Sequence, residues 1–290
     1  MFAVTIPARQ FALFRVLLGL YLAIHFAMLI PYGAELFGHT GVIPDPRLNL
    51  VPPIFPSLLN LPVASGTISL FLIVMVLAAV AFALGICRRV AALILWYGWA
   101  CLFNRNNLIG NPSIPYVGLL LLLSVIVPLG EGWTMRKRHD EWHFPPAIYW
   151  AAWIPLALGY TFSGLHKLGS PSWVNGDALR LLADNPLARS GPIRDWLLKA
   201  PDSVLHGMTW FALAGEISFA FFSFTRVTRF IAWMWLVGMH LGILGVIAFA
   251  DLTAGMLLVH VFVWDPVWLR RRKRPLPAAA SSAAPVASPG

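Results

Sequence analysis

The segment Tyr160-Thr-Phe-Ser-Gly-Leu-His166-Lys167-Leu-Gly-Ser-Pro-Ser-Trp173 ends a hydrophobic run with an amine. Apolar surroundings disfavour a charged ammonium, and a neutral amine can act as a base. Ionisable side chains within membrane segments are functional candidates by default. The competing reading is a snorkelling lysine that lays its stem on apolar surface and reaches the headgroups. Arg15, His25, Glu216, His240 and His260 also interrupt apolar runs. Each costs a few kcal/mol in a bilayer unless paired or hydrated, about 2.5–3.5 kcal/mol for a charge on insertion scales. Arg15 and Glu216 could neutralise each other across helices, which would make them structural buried charges, and the sequence leaves that pairing open. His25 and His260 read as hydrogen bonds to neighbouring helices. Lys167, His240 and the cluster Asn104-Arg105-Asn106-Asn107 could converge on one extracytoplasmic-facing cavity. The histidines lack metal-ligand spacing, so no metal is predicted.

Positioning those residues falls to a chain that is 59% hydrophobic and only 11% charged over 290 residues. Soluble domains carry about 25% charged residues. The expected class is all-α, a polytopic transmembrane helical bundle. About eight spans are expected, at 10–31, 66–86, 90–106, 114–129, 146–166, 205–224, 228–248 and 252–268, each near or below the ~20 residues a bilayer requires. With the N-terminus in the cytoplasm, Arg9, Arg88-Arg89, Arg136-Lys137-Arg138, Arg226 with Arg229, and Arg270 to Arg274 fall inside. Scattered Arg47, Arg105, Lys167, Arg180, Arg189, Arg194 and Lys199 fall outside. That is the positive-inside pattern, and it places both termini in the cytoplasm. The net charge of +9 belongs to these loop clusters and does not point to nucleic acid.

Arg9 precedes a run long enough to span and without a small-residue cleavage site, so no cleaved signal peptide is expected. Cys87 and Cys101 form no CxxC pair, which argues against a thiol relay or a zinc site. The stretch from Val51 through Leu59 is too short to span and reads as interfacial or re-entrant. Residues 167–204, with Trp173 and Trp196, read as an amphipathic cap at the membrane surface. Residues 1–269 form one expected membrane domain, and 270–290 a basic stop followed by a disordered cytoplasmic tail.

Tyr160-x-x-Ser-Gly-Leu-x-Lys167-Leu, followed by Trp173-x-x-Gly176, resembles the vitamin K-dependent γ-carboxylase family. More broadly, the chain resembles its bacterial relatives, the horizontally transferred transmembrane (HTTM) domain proteins. Phe14-Arg15-Val-Leu-Leu-Gly19, His39-Thr-Gly-Val-Ile-Pro44, Leu84-Gly85-Ile-Cys87-Arg-Arg and Asn111-Pro-Ser-Ile-Pro-Tyr are similar to successive family landmarks. Glu216, Arg229 and His240 fall where the family carries an acidic residue, an arginine and a histidine. The resemblance covers about residues 10–269.

In the carboxylase, the lysine deprotonates vitamin K hydroquinone. Oxygen adds, and the resulting alkoxide takes a γ-proton from a glutamate that carbon dioxide then traps. The resemblance implies that Lys167 is the base and that His240 stabilises an oxyanion. It further implies that Tyr160, Trp173, Asn107 and Asn111 bind a reduced quinone, vitamin K hydroquinone or menaquinol, arriving from the lipid. Oriented donors in a dry site would stabilise such an oxyanion strongly. The chain departs from the family in two places. Asn111-Pro112-Ser113 stands where the carboxylase has a histidine, and the chain ends where the carboxylase enters a large lumenal region. A peptide or protein substrate would then be held in another way.

The sequence therefore supports three functions in a bacterial plasma membrane. One is a quinol-dependent oxygenase or carboxylase. Another is a non-catalytic partner in maturation or export of a peptide. The last is a quinone- or lipid-binding protein without turnover.

Overall fold

A computed structural model describes residues 4–49, 55–62, 64–133 and 142–269, and the described residues contain helices and no strands. Eight helices follow the eight apolar runs: α1 (Ala8–Leu29), α2 (Ser65–Leu84), α3 (Arg88–Arg105), α4 (Ile114–Ile126), α5 (Pro146–Lys167), α6 (Asp202–Ser218), α7 (Arg226–Val246) and α8 (Ala250–Phe262). Among the described residues, three helical stretches are long and apolar enough to cross a membrane: Ala8–Phe37, Ser65–Leu84 and Arg226–Val246. The other helices are shorter or more polar. The basic run and tail from 270 to 290, and the Arg136-Lys137-Arg138 cluster, lie outside the described residues.

The distribution of polarity is inverted relative to a soluble protein. On α1, Leu20, Ile24 and Met28 face outward, with Ile24 60% exposed, while Arg15 is fully buried. Glu131, Glu216, His240 and His260 are buried as well, while Leu70, Leu77, Val80 and Val227 are exposed. Water would penalise so large an apolar surface, and lipid does not. The chain is a membrane protein.

Contacts between helices give their directions. Tyr21 and His25 on α1 meet Asp251 at the start of α8, and Phe14 packs on Phe262 at its end. Trp233 on α7 donates to the His260 carbonyl, and Arg229 lies over Trp150 near the start of α5. Thus α1, α5 and α7 run one way and α8 the other. Close approach is made by small residues, as membrane helix packing requires. A Cβ on Gly19 of α1 would sit 2.6 Å from the Ala83 Cβ of α2.

Two sequence expectations are corrected here. Arg15 and Glu216 do not pair. Arg15 Nε lies 3.2 Å from Glu131 Oε1, which also lies 3.1 Å from Arg88 Nε. The remaining guanidinium N–H groups of both arginines donate to carbonyls of Phe82, Ala83, Trp133, Ser124, Val127 and Pro128. These carbonyls lie at the C-terminal ends of α2 and α4 and in the turn after α4, so the knot also helps to cap two helices. Second, Arg88, Arg105 and Arg229 are not free loop charges but buried ones. Arg105 donates to the Gly38 carbonyl and Arg229 to the Ser223 carbonyl. Arg9, Arg89 and Arg226 remain exposed at the Glu131 end.

The run 205–224 is not one straight rod. Glu216 near the C-terminus of α6 meets the end of α5, while Leu205 near its N-terminus packs with Val246 at the end of α7. Helix α6 therefore bridges the C-terminal ends of α5 and α7. Its continuation returns along α5, where Phe219 stacks on Trp153 and Trp153 donates to the Ser223 hydroxyl.

Candidate functional site

Three short helices, Pro171–Val174, Ala178–Ala183 and Pro192–Lys199, follow α5 and lie over this end of the bundle. They are fastened to it at several points. Arg189 N donates to the Val246 carbonyl and Ala248 N to the Leu187 carbonyl. Arg194 Nε donates to the Ala183 carbonyl, and Ala183, Leu197, Ala200, Leu205 and Val246 form a small core of their own. The cap, α6 and α7 enclose a cavity of about 1220 Å³. Trp196, Ile193 and Leu187 line it from the cap, Met208 and Phe211 from α6, and Met234, Trp235 and Met239 from α7. Apart from indole N–H groups, its polar lining side chains are Lys167, Asn185, Ser203 and Glu216.

The Lys167 motif builds the polar spot in this wall. Ser163 and Lys167 are four residues apart on α5 and so share a face. Lys167 Nζ donates to both Glu216 oxygens, at 2.6 and 2.5 Å, and Ser163 Oγ donates to Oε2 at 3.2 Å. Gly164 lies between them because α6 presses there: a Cβ would come within 2.8 Å of the Ile217 backbone nitrogen. Lys167 Nζ also stands 4.4 Å from the Trp173 ring centroid, a cation–π contact. Gly176 holds a positive φ of 91°, and a Cβ there would meet His206. Each defined position of Ser-Gly-Leu-x-Lys and Trp-x-x-Gly except the leucine therefore has a geometric task. Lys167 is 24% exposed and Glu216 6%. One is reachable from the cavity and the other is nearly enclosed.

The remaining predicted site residues separate into other groups. Tyr160 and His240 do not line the cavity. They meet behind its wall, with Tyr160 Oη 2.6 Å from His240 Nε2 and 2.9 Å from His260 Nε2. Asn107 and Asn111 lie away from Lys167. Asn107 N donates to Asn49 Oδ1, and the neighbouring Asn104 and Arg105 carbonyls accept from Asn49 Nδ2. Asn111 Nδ2 donates to Asp251 Oδ2 at 2.8 Å. The expected convergence of lysine, histidine and asparagine cluster on one cavity is thus corrected. Helix α5 carries Lys167 into the cavity, whereas the asparagines close the α3–α4 connection against Asn49 and against α8.

Two partners were missed in the sequence. Glu131 was hidden between an apolar run and a basic cluster. Asp251, which accepts from Tyr21, His25 and Asn111, opens a helix that reads only as apolar. A lone acid next to a run of unbalanced arginines was the available signal for Glu131.

The HTTM domain family model matches residues 5–247. The chain belongs to the HTTM domain family. No curated protein and no solved structure matches it. The family match includes the Lys167 motif, the cap, α6 and the whole of α7, and stops just before α8.

Proposed function

We propose that this HTTM protein binds a reduced lipophilic quinone in the cavity under the cap and uses Lys167 as the base that deprotonates it. The observation that supports this reading is a lysine–carboxylate pair set in a wall that is mostly apolar, with Asn185 and Ser203 as its other polar side chains besides the indoles. Ligand sites have this composition, mostly apolar with a few convergent polar groups. A quinol supplies an acidic hydroxyl and a long hydrocarbon body; the first suits the pair and the second suits Trp196, Phe211 and Met234.

Lys167 must lose its proton before it can act, and Glu216 is the group in contact with Nζ. A base needs the neutral amine, and the contact with Glu216 gives the ammonium proton a group to exchange with. Ser163 keeps one carboxyl oxygen in place, and Trp173 packs over the amine. Oxygenation with or without carboxylation is the chemistry that the γ-carboxylase resemblance suggests for such a base. Binding without turnover is the second reading, favoured by how apolar the lining is. About eight spans with both termini in the cytoplasm complete the proposal, and tags after residues 45 or 190 should then be reached from outside and one after 138 from inside.

A photoreactive naphthoquinone with an isoprenoid tail, added to protein in lipid nanodiscs, tests the site. The proposal expects labelling at Trp196, Phe211 or Met234. Labelling confined to lipid-facing residues such as Ile24 and Leu77 would contradict it.

A further inference from the structure

Helices α6 and α7 touch at two places. Next to Glu216, a Cβ on Gly215 would come within 2.7 Å of the Trp235 indole, and Phe211 stacks on the same indole with ring centroids 4.3 Å apart. At the cap end, Leu205 packs with Val246, and a Cβ on Gly245 would sit 3.1 Å from Ile193 Cδ1. Between these contacts three more glycines line the cavity, Gly207 on α6 and Gly238 and Gly242 on α7. Among the described residues, no atom lies within 4 Å of where a Cβ on any of the three would stand. Glycine weakens a helix, and membrane helices use it where backbones approach closely. Gly215 and Gly245 fit that use. Gly207, Gly238 and Gly242 do not: the volume their missing side chains leave open belongs to the cavity. Gly238 and Gly242 are four residues apart and share a face, so the opened volume on α7 is a continuous trough. From Trp235 to Val246 it runs about 16 Å by helix rise. Met208, Met239 and Ile243 flank it, and methionine adapts its shape to irregular apolar partners. The polar lining groups stand at its two ends, the Lys167–Glu216 pair beside Gly215 and Asn185 with Ser203 toward the cap.

We propose that Gly207, Gly238 and Gly242 form the subsite for the hydrocarbon tail of the cavity's ligand, and that they select ligands carrying a long flexible chain. The inference rests on the quinol reading and deepens it: the head meets Lys167 and Glu216, and the isoprenoid tail lies along α7 toward the cap. Lipid offers such a tail surroundings as apolar as the trough, so transfer out of lipid gains nothing and fit must make the selection. A bare helix backbone on both sides of the trough supplies that fit. A side chain placed there would take the space of the tail without touching the rest of the protein.

Two photoreactive naphthoquinols, one with an isoprenoid tail and one without, test the trough by titrated labelling of the full chain in nanodiscs. A Gly238→Leu/Gly242→Leu double variant should bind the tailed probe at least roughly tenfold more weakly, as overpacking of an occupied site does, and bind the tail-less probe as the wild type does. Gly66→Leu is the control, since its side chain also enters open space but at the start of α2, away from the cavity lining. It should change neither affinity. A double variant that binds the tailed probe as tightly as wild type, at a matched thermal midpoint, would overturn the tail subsite. A parallel loss of both probes would overturn it too, because the glycines would then serve the head. If the double variant does not fold, Gly207→Leu reads the same trough from α6. Wild-type protein that binds neither naphthoquinol counts against the quinol reading, and a photoreactive long-chain fatty acid then decides the trough. Labelling at Met239 or Ile243 that the leucines abolish upholds it, and the absence of such labelling overturns it.

Discussion

The two ends of the bundle each bury an acid against basic side chains, and they do so in opposite ways. At one end Glu131 lies between Arg15 and Arg88, all with side chains at most 1% exposed, and carbonyls take the remaining guanidinium N–H groups that bond. At the other end Glu216 holds Lys167, whose amine remains reachable from a large apolar cavity. Arginine suits the first task because its planar fork serves several fixed acceptors and never deprotonates. Lysine suits the second because it can give up its proton. Charges enclosed on all sides hold helices in place, while a charge with one open face is available for chemistry.

Mutations can separate the ends. Glu131→Ala leaves two buried guanidinium groups without their anion, and a loss of about 3–5 kcal/mol is expected, read as a large fall in thermal midpoint in nanodiscs. An unchanged midpoint would show that the knot is not structural. Gly164→Ala pushes α6 off α5 at the Ile217 backbone, and overpacking of this kind costs about 1–3 kcal/mol. Quinol turnover should fall with it, because Glu216 is next to the displaced residue. Wild-type turnover in Gly164→Ala would mean that the Lys167–Glu216 contact tolerates the shift.

The pair itself should matter less for folding. A Lys167→Met/Glu216→Leu double variant is expected to melt within about 1 kcal/mol of wild type or higher, since replacing a buried pair with apolar groups is often neutral. Glu216→Leu alone should melt lower. A double variant as unstable as Glu131→Ala would erase the contrast between the ends. The smallest effect is expected from Trp173→Leu. Loss of its contact with Lys167 is worth about 0.5–1 kcal/mol, visible as a modest rise in the KM for quinol.

Much of the fold was legible because lipid demands apolar runs. The run 146–166 is α5 at Pro146–Lys167, and 66–86 is α2 at Ser65–Leu84. The path of α6 was not legible, because a run of twenty apolar residues does not reveal that its first part bridges two helix ends. Lys167 stood out by its position, and Ser163, Gly164 and Trp173 stood beside it in the motif. Its partner did not, since Glu216 and Arg15 were the two unmatched charges in sequence and register between distant helices is invisible there. Placing Glu131 with Arg15 and Arg88 required the end of α4 to fold back against α1 and α3. The histidines were visible singly, but Tyr160 as their common partner depends on three helices meeting.

The most direct test of the account is turnover of reduced vitamin K or menaquinol by the protein in nanodiscs with oxygen and bicarbonate. Quinone epoxide is measured by mass spectrometry beside a Lys167→Ala variant of matched thermal midpoint. The account predicts epoxide from the wild type and a loss of at least about a hundredfold in Lys167→Ala. Equal epoxide from both proteins would contradict it.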